Sequence, residues 1–209
     1  MAVRIPLVLA LILLTEPVFG AASGLNIIPT ADVLDKGTAA VEVERAGEQT
    51  HIFTNAETAL LTQLGLGKGI EIGYDDYSDG ISFGAWNVKL AVAWRNGSPA
   101  AAIGVQNVGN NIKSQPYAVG HVPLGCGRLH AGLIGIESST HPMFGYDKPL
   151  NERVTFQADY IEGNENAGSV GLCFRLNSKL ELTAAYIRNN SGLNRDIYLL
   201  TLSWYPSIF

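Results

Sequence analysis

The sequence predicts an all-β protein: a closed antiparallel up-and-down transmembrane β-barrel of about 12 strands, with 10–12 as the range. Three observations predict it. From residue 38 onward the chain alternates apolar and polar side chains with period 2, and no amphipathic helix follows residue 37. The connections between alternating segments are tight at one end and mostly longer and polar at the other. The apolar stripes end in aromatic residues at a spacing suited to a membrane.

Residues 1–22 read as a secretion signal. Arg4 precedes the apolar run IPLVLALILL, Pro17 breaks it, and VFGAAS supplies small residues for cleavage near Gly20 or Ala22. The run is shorter than the roughly 20 apolar residues a spanning helix needs. Residues 23–37, SGLNIIPTADVLDKG, form a separate N-terminal segment. Its position before the first strand, with Asn26, Asp32 and Asp35, makes it a candidate plug for the lumen. The barrel then occupies 38–209.

Twelve strands are expected at 38–46, 57–66, 69–77, 82–94, 99–108, 114–124, 128–137, 142–148, 153–161, 168–177, 179–189 and 195–206. The even-to-odd connections GLGKG, RNGS, LGCGR, KPLNE and NSK are tight. The odd-to-even connections include AGEQTHIFTNA, VGNNIKS, EGNENA and NNSGLNR, although YSDG and SSTH are short. The eighth strand, PMFGYDK, has the weakest pattern, but without it the strand count is odd and the alternation of connections fails. An even count leaves both termini on the tight-turn side, which in outer-membrane barrels is periplasmic.

Each strand sorts into two faces. The segment WNVKLAVAW puts Trp86, Val88, Leu90, Val92 and Trp94 on one side, and Asn87, Lys89, Ala91 and Ala93 on the other. Eight steps span about 26 Å along a strand. Tilted by about 40°, they cover about 20 Å of membrane normal, close to the apolar band of such barrels. Tyr74, Trp86, Trp94, Tyr160, Tyr186 and Trp204 are the expected membrane-interface aromatics. Glu42, Glu44, Glu71, Asn87, Lys89, Asp159, Arg175 and Glu181 are the expected lumen-lining residues. Charges in a dry lumen are costly, so these either pair across it or line water. A plugged barrel and a water-filled, weakly cation-preferring pore are the two readings. Leu90→Arg is expected to carry a lipid penalty that Ala91→Arg, facing the lumen, does not.

The chain ends in DIYLLTLSWYPSIF, a strand finishing in Phe209. A terminal aromatic resembles the signal read by the barrel-assembly machinery. Here Pro206 interrupts, and Phe209 is one residue out of phase with the Tyr198, Leu200, Leu202, Trp204 stripe.

The element from Gly24-Leu25 through Pro29-Thr30-Ala31 to Gly37-Thr38 resembles the start of the YjbH-like, exopolysaccharide-associated outer-membrane proteins and their small relatives. LTQLGLGKGIEIGYDD, NVK at Asn87 to Lys89, and ADYIEGNENAGSVGL also resemble phrases of the small relatives. The resemblance implies an outer-membrane barrel connected with envelope polysaccharide. It supplies no catalytic residues.

Other classes are weighed against this. Charged residues are only 16% and the net charge is −5, with no Lys/Arg cluster, so a nucleic-acid partner is excluded. Cys126 in LGCGR and Cys173 in VGLCFRLN show no metal-ligand spacing, and a disulfide between them is left open. No phosphate loop or metal pattern of histidines occurs, so no cofactor, metal or catalytic residue is assigned. The expected role is therefore structural or passive, porin-like transport in the outer membrane, in contact with the lipid bilayer and reached by export. Two alternatives stand: a soluble periplasmic or extracellular barrel binding a small apolar ligand, and an outer-membrane hydrolase using Asp75, Asp76 or Asp79 with His51 or His141.

Overall fold

The computed structural model describes residues 23–48, 56–77, 84–109, 113–192 and 196–209. Twelve strands form one closed antiparallel barrel: β1 (Ala39–Glu48), β2 (Glu57–Gly67), β3 (Ile70–Tyr77), β4 (Ala85–Arg95), β5 (Ser98–Val108), β6 (Gln115–Leu124), β7 (Gly127–Ile136), β8 (Ser139–Pro149), β9 (Val154–Ile161), β10 (Ala167–Asn177), β11 (Leu180–Asn189) and β12 (Ile197–Trp204). Each strand pairs with its neighbours in sequence, and β1 closes on β12 with Val41 opposite Trp204 and Glu48 opposite Ile197. Closure leaves no unpaired sheet edge to template aggregation.

All twelve expected strands are present, and their ends lie within three residues of the expected ones. β8 starts at Ser139, three residues before expectation, because the connection from β7 is a two-residue turn at Glu137 and Ser138. Glu137 takes a left-handed φ of 56° there. The turn from β4 to β5 is Asn96-Gly97, with φ 51° and 83°. An Asn-Gly pair with both φ positive is the turn whose twist matches the flanking strands.

The apolar set faces out. Trp86, Val88, Leu90, Val92 and Trp94 are each 40% or more exposed, while Asn87 and Lys89 between them are fully buried. Leu60, Ile103, Leu133, Phe144, Val170, Leu202 and Trp204 are exposed in the same way on other strands. A soluble barrel buries such a face and wets the polar one; here the order is reversed, and a contiguous apolar surface of this kind needs lipid. This removes the soluble, ligand-binding alternative.

The interior is largely occupied, and only part of it is polar. Ile134, Met143, Ile161, Ile187 and Leu199 point inward and pack around Ile27 and Ile28 of the N-terminal segment. A smaller inward cluster joins Ala59, Leu61, Tyr77 and Ala85. Ala91, the site of the expected lumen-side control Ala91→Arg, does face inward. Ala91 is only 7% exposed and abuts Gly69, so an arginine there meets protein and not open lumen.

Candidate functional site

The site begins where the chain enters the barrel. At the tight-turn rim the Gly37 N–H donates to the Gly65 carbonyl at 2.9 Å, and the Ile208 N–H donates to the Gly37 carbonyl at 2.7 Å. The C-terminal tail therefore ends against the base of the N-terminal segment. Gly65 makes room for that segment: a Cβ there would stand 2.2 Å from the Asp35 carbonyl oxygen. Residues 24–29 form a tight reverse turn, with Gly24 bridged to Pro29 and the Leu25 N–H donating to the Ile28 carbonyl.

Charged side chains of the wall bind this segment through its backbone. Lys89, on β4, is fully buried and donates from Nζ to the carbonyls of Ser23 at 2.8 Å and Asp32 at 2.9 Å. Glu71, directly opposite on β3 and also fully buried, lies 3.7 Å from Lys89. Its Oε2 accepts from the Ser23 hydroxyl at 2.6 Å and the Leu34 N–H at 2.9 Å. The pair thus satisfies four polar groups of the segment while neutralising itself, which is what makes a buried ion pair tolerable.

Two further anchors flank it. Arg128 on β7 grips Asp147 on β8 through Nε and Nη2, and reaches Asp32 of the segment with Nη1 at 2.9 Å. Asp159 on β9 accepts the Ile27 N–H at 2.9 Å and the Ser169 hydroxyl, and Ser169 in turn accepts from the Asn26 amide at 2.8 Å. The apolar tip, Leu25 to Ile28, sits over Gly145, where a Cβ would come within 2.7 Å of both the Leu25 and Ile28 methyl groups. Anchoring is lopsided. Charged contacts run to β3, β4, β7 and β9, with the Ser169 hydroxyl of β10 beside them, and on the other side the turn faces β1, β11 and β12 across a cavity of about 110 Å³.

That cavity is acidic. It is lined by Glu42, Glu44 and Glu181 with Thr183, Thr201 and Ser203. Glu42 accepts from the Ser203 hydroxyl at 2.8 Å and Glu44 from Thr201 at 3.4 Å. Among the described residues only Glu181 has a basic partner, Arg175 at 3.2 Å, and Arg175 lies at the mouth with its side chain 60% exposed.

The eight residues read as lumen-lining thus fall into separate groups. Glu71 and Lys89 clasp the N-terminal segment, Asp159 holds its tip, and Glu42, Glu44 and Glu181 share the cavity, with Arg175 at its mouth. Asn87 stands apart: its amide donates to Asp75 at 2.6 Å and its oxygen accepts the Asn107 N–H at 3.1 Å. Sequence reasoning missed Arg128 and Asp147, which are direct cross-strand partners. It also missed the inward apolar layer around Ile27 and Ile28.

The six interface aromatics divide between the rims. Tyr74, Trp86, Tyr160 and Tyr186 lie towards the long-connection rim, and Trp94 and Trp204 at the tight-turn rim. Tyr74 and Trp86 are register partners in edge contact at 5.0 Å, as are Tyr186 and Tyr198 at 5.5 Å. Of the residues considered for a hydrolase, His51 and Asp79 lie outside the described residues, as does the signal segment 1–22. Asp75 points inward and is fully buried, whereas Asp76 faces out, so the two do not share a site. His141 lies 3.6 Å from Glu162 at the long-connection rim. Cys126 and Cys173 are both free thiols.

A closed twelve-stranded barrel with an apolar belt outside and ionisable groups inside is a transmembrane barrel of the outer-membrane type. Comparison with solved structures agrees. The fold is similar to that of the KdgM porin in complex with disordered oligogalacturonate, with a TM-score of 0.58 at 10% identity over 79% of this chain and 98% of that one. The NanC porin gives 0.52 at 11% identity over 79% and 98%, and the Acinetobacter baumannii outer membrane protein Omp33 gives 0.53 at 8% over 81% and 98%. At these identities the likeness is one of fold. No family model and no curated protein matches the sequence, so the YjbH-like resemblance finds no support at the level of family.

Proposed function

We propose that the protein is a passive outer-membrane channel, closed at rest by residues 23–36, that admits small polar solutes when this segment withdraws. The observation that carries the reading is the buried Lys89–Glu71 pair, which spends its hydrogen bonds on the backbone of that segment. A wall that served only as scaffold would bury apolar side chains there at lower cost. The aromatic residues at the two rims act as interface belts. The chain reaches the membrane by export and cleavage near Gly20 or Ala22, and its terminal strand is read by the assembly machinery.

The charges also bear on the solute. Lys89 and Arg128 are committed to the segment and to Asp147, whereas Glu42 and Glu44 have no basic partner among the described residues. An acidic saccharide such as the oligogalacturonate named with the KdgM porin is disfavoured, and neutral or cationic solutes are favoured. The resemblance of the N-terminal element to exopolysaccharide-associated proteins adds the envelope as the setting. No catalytic role is assigned.

Membrane fractionation and liposome swelling test this together. The mature protein should enter the outer-membrane fraction and migrate faster unheated than boiled. Its liposomes should swell slowly in neutral sugars. A protein recovered soluble without detergent would overturn the membrane reading, and fast swelling with the intact chain would overturn the closed state.

A further inference from the structure

The lipid-facing wall is not uniform. On the outward face of β10 to β12 a groove of about 560 Å³ runs between Phe156, Leu172, Tyr186, Tyr198 and Leu200, floored by Gly171 and Ala184. A leucine or phenylalanine at position 184, of the kind found elsewhere on this belt, would fill it. Towards the long-connection rim the groove continues past Val170 and Tyr186 into a second hollow of about 540 Å³ that includes Arg188 and Asn190. Gly168, opposite Arg188 in the register, leaves this upper hollow open.

Arg188 is exposed on the outward face, two residues beyond Tyr186. Two residues are about 6.6 Å of strand, which takes the guanidinium from the aromatic belt to the level of lipid head groups. It makes no ion pair among the described residues. The nearby carboxylate, Asp196, is engaged by the Tyr186 hydroxyl at 2.5 Å. The Asn190 amide is taken by the Ile161 and Gly163 carbonyls, and Arg188 is the one cation lining this hollow among the described residues.

We infer that this groove holds one anionic membrane lipid, an acyl chain lying over Ala184 and a phosphate on Arg188. The inference rests on the membrane-barrel reading and commits to a lipid, since an apolar channel capped, among the described residues, by one cation matches a chain with a charged head. It is tested by native mass spectrometry of the purified mature protein, with phosphatidylglycerol or phosphatidylcholine added in equal amounts. Wild type should retain one phosphatidylglycerol about fivefold more than phosphatidylcholine, the factor that one basic residue at a membrane surface supplies. Arg188→Gln should abolish that preference, Ala184→Leu should lower retention of both lipids, and Asp196→Asn should raise the preference. Unchanged retention in Arg188→Gln, or no preference in wild type, overturns the proposal. A dimer that Ala184→Leu disrupts would assign the groove to a second copy instead and overturn it equally. Heat-modifiable mobility, measured on every variant, reports failure of the barrel reading separately.

Discussion

Lys89→Met tests the clasp on the N-terminal segment. The substitution keeps the length and apolar stem of the side chain but removes a cation with no exposed surface. Three contacts go: the hydrogen bonds to the Ser23 and Asp32 carbonyls at 2.8 and 2.9 Å, and the 3.7 Å approach to Glu71. Two carbonyls lose a charged donor, and among the described residues the Glu71 carboxylate keeps only the Ser23 hydroxyl and the Leu34 N–H. Breaking a buried pair from one side costs about 3–5 kcal/mol, most of it the stranded charge. Part of that cost is avoided if residues 23–36 leave and water reaches Glu71. The expectation is therefore double: a lower urea midpoint and higher conductance in planar bilayers. Adding Glu71→Leu removes the stranded charge, so the double variant should recover most of the midpoint while staying conductive. A cycle in which the two single costs simply add would show that the residues do not act as a pair. Unchanged midpoint and conductance in Lys89→Met would refute the clasp.

Three further outcomes follow from the same geometry. Leu90→Arg, on the outward face at mid-strand, should cost about 2–4 kcal/mol in refolding into lipid, and Val108→Arg near the rim about 0–1 kcal/mol; equal costs would contradict the assignment of membrane depth. Gly145→Val places its Cβ within 2.7 Å of the Leu25 and Ile28 methyl groups, so it should expel the tip and raise conductance while heat-modifiable mobility persists. Cys126 is exposed in the turn between β6 and β7. An impermeant maleimide should label it only after the outer membrane is permeabilised, and labelling on intact cells would invert the orientation.

The wall was legible in the sequence because a two-sided sheet writes its faces in alternate residues. WNVKLAVAW shows the burial order directly, with its tryptophans out and Asn87 and Lys89 in. β8 was the least legible strand for a reason now visible. Gly145 breaks its pattern because the tip of the N-terminal segment occupies the space a side chain would fill. The cross-strand pairs Glu71–Lys89 and Arg128–Asp147 follow from register, and register depends on connection lengths that alternation does not fix. The inward apolar layer was not legible at all. Ile134, Met143 and Ile161 break the polar-inside rule only because Ile27 and Ile28 meet them, a contact between positions more than a hundred residues apart. The segment's position before the first strand suggested a plug, but its partners could not be read from spacing.

The central claim is that residues 23–36 close the barrel. Single-channel recording on the mature protein and on a variant lacking those residues, both first shown to be heat-modifiable barrels, tests it most directly. The account predicts a nearly silent intact protein and a stable, larger conductance in the deletion. Equal conductance in the two would contradict it.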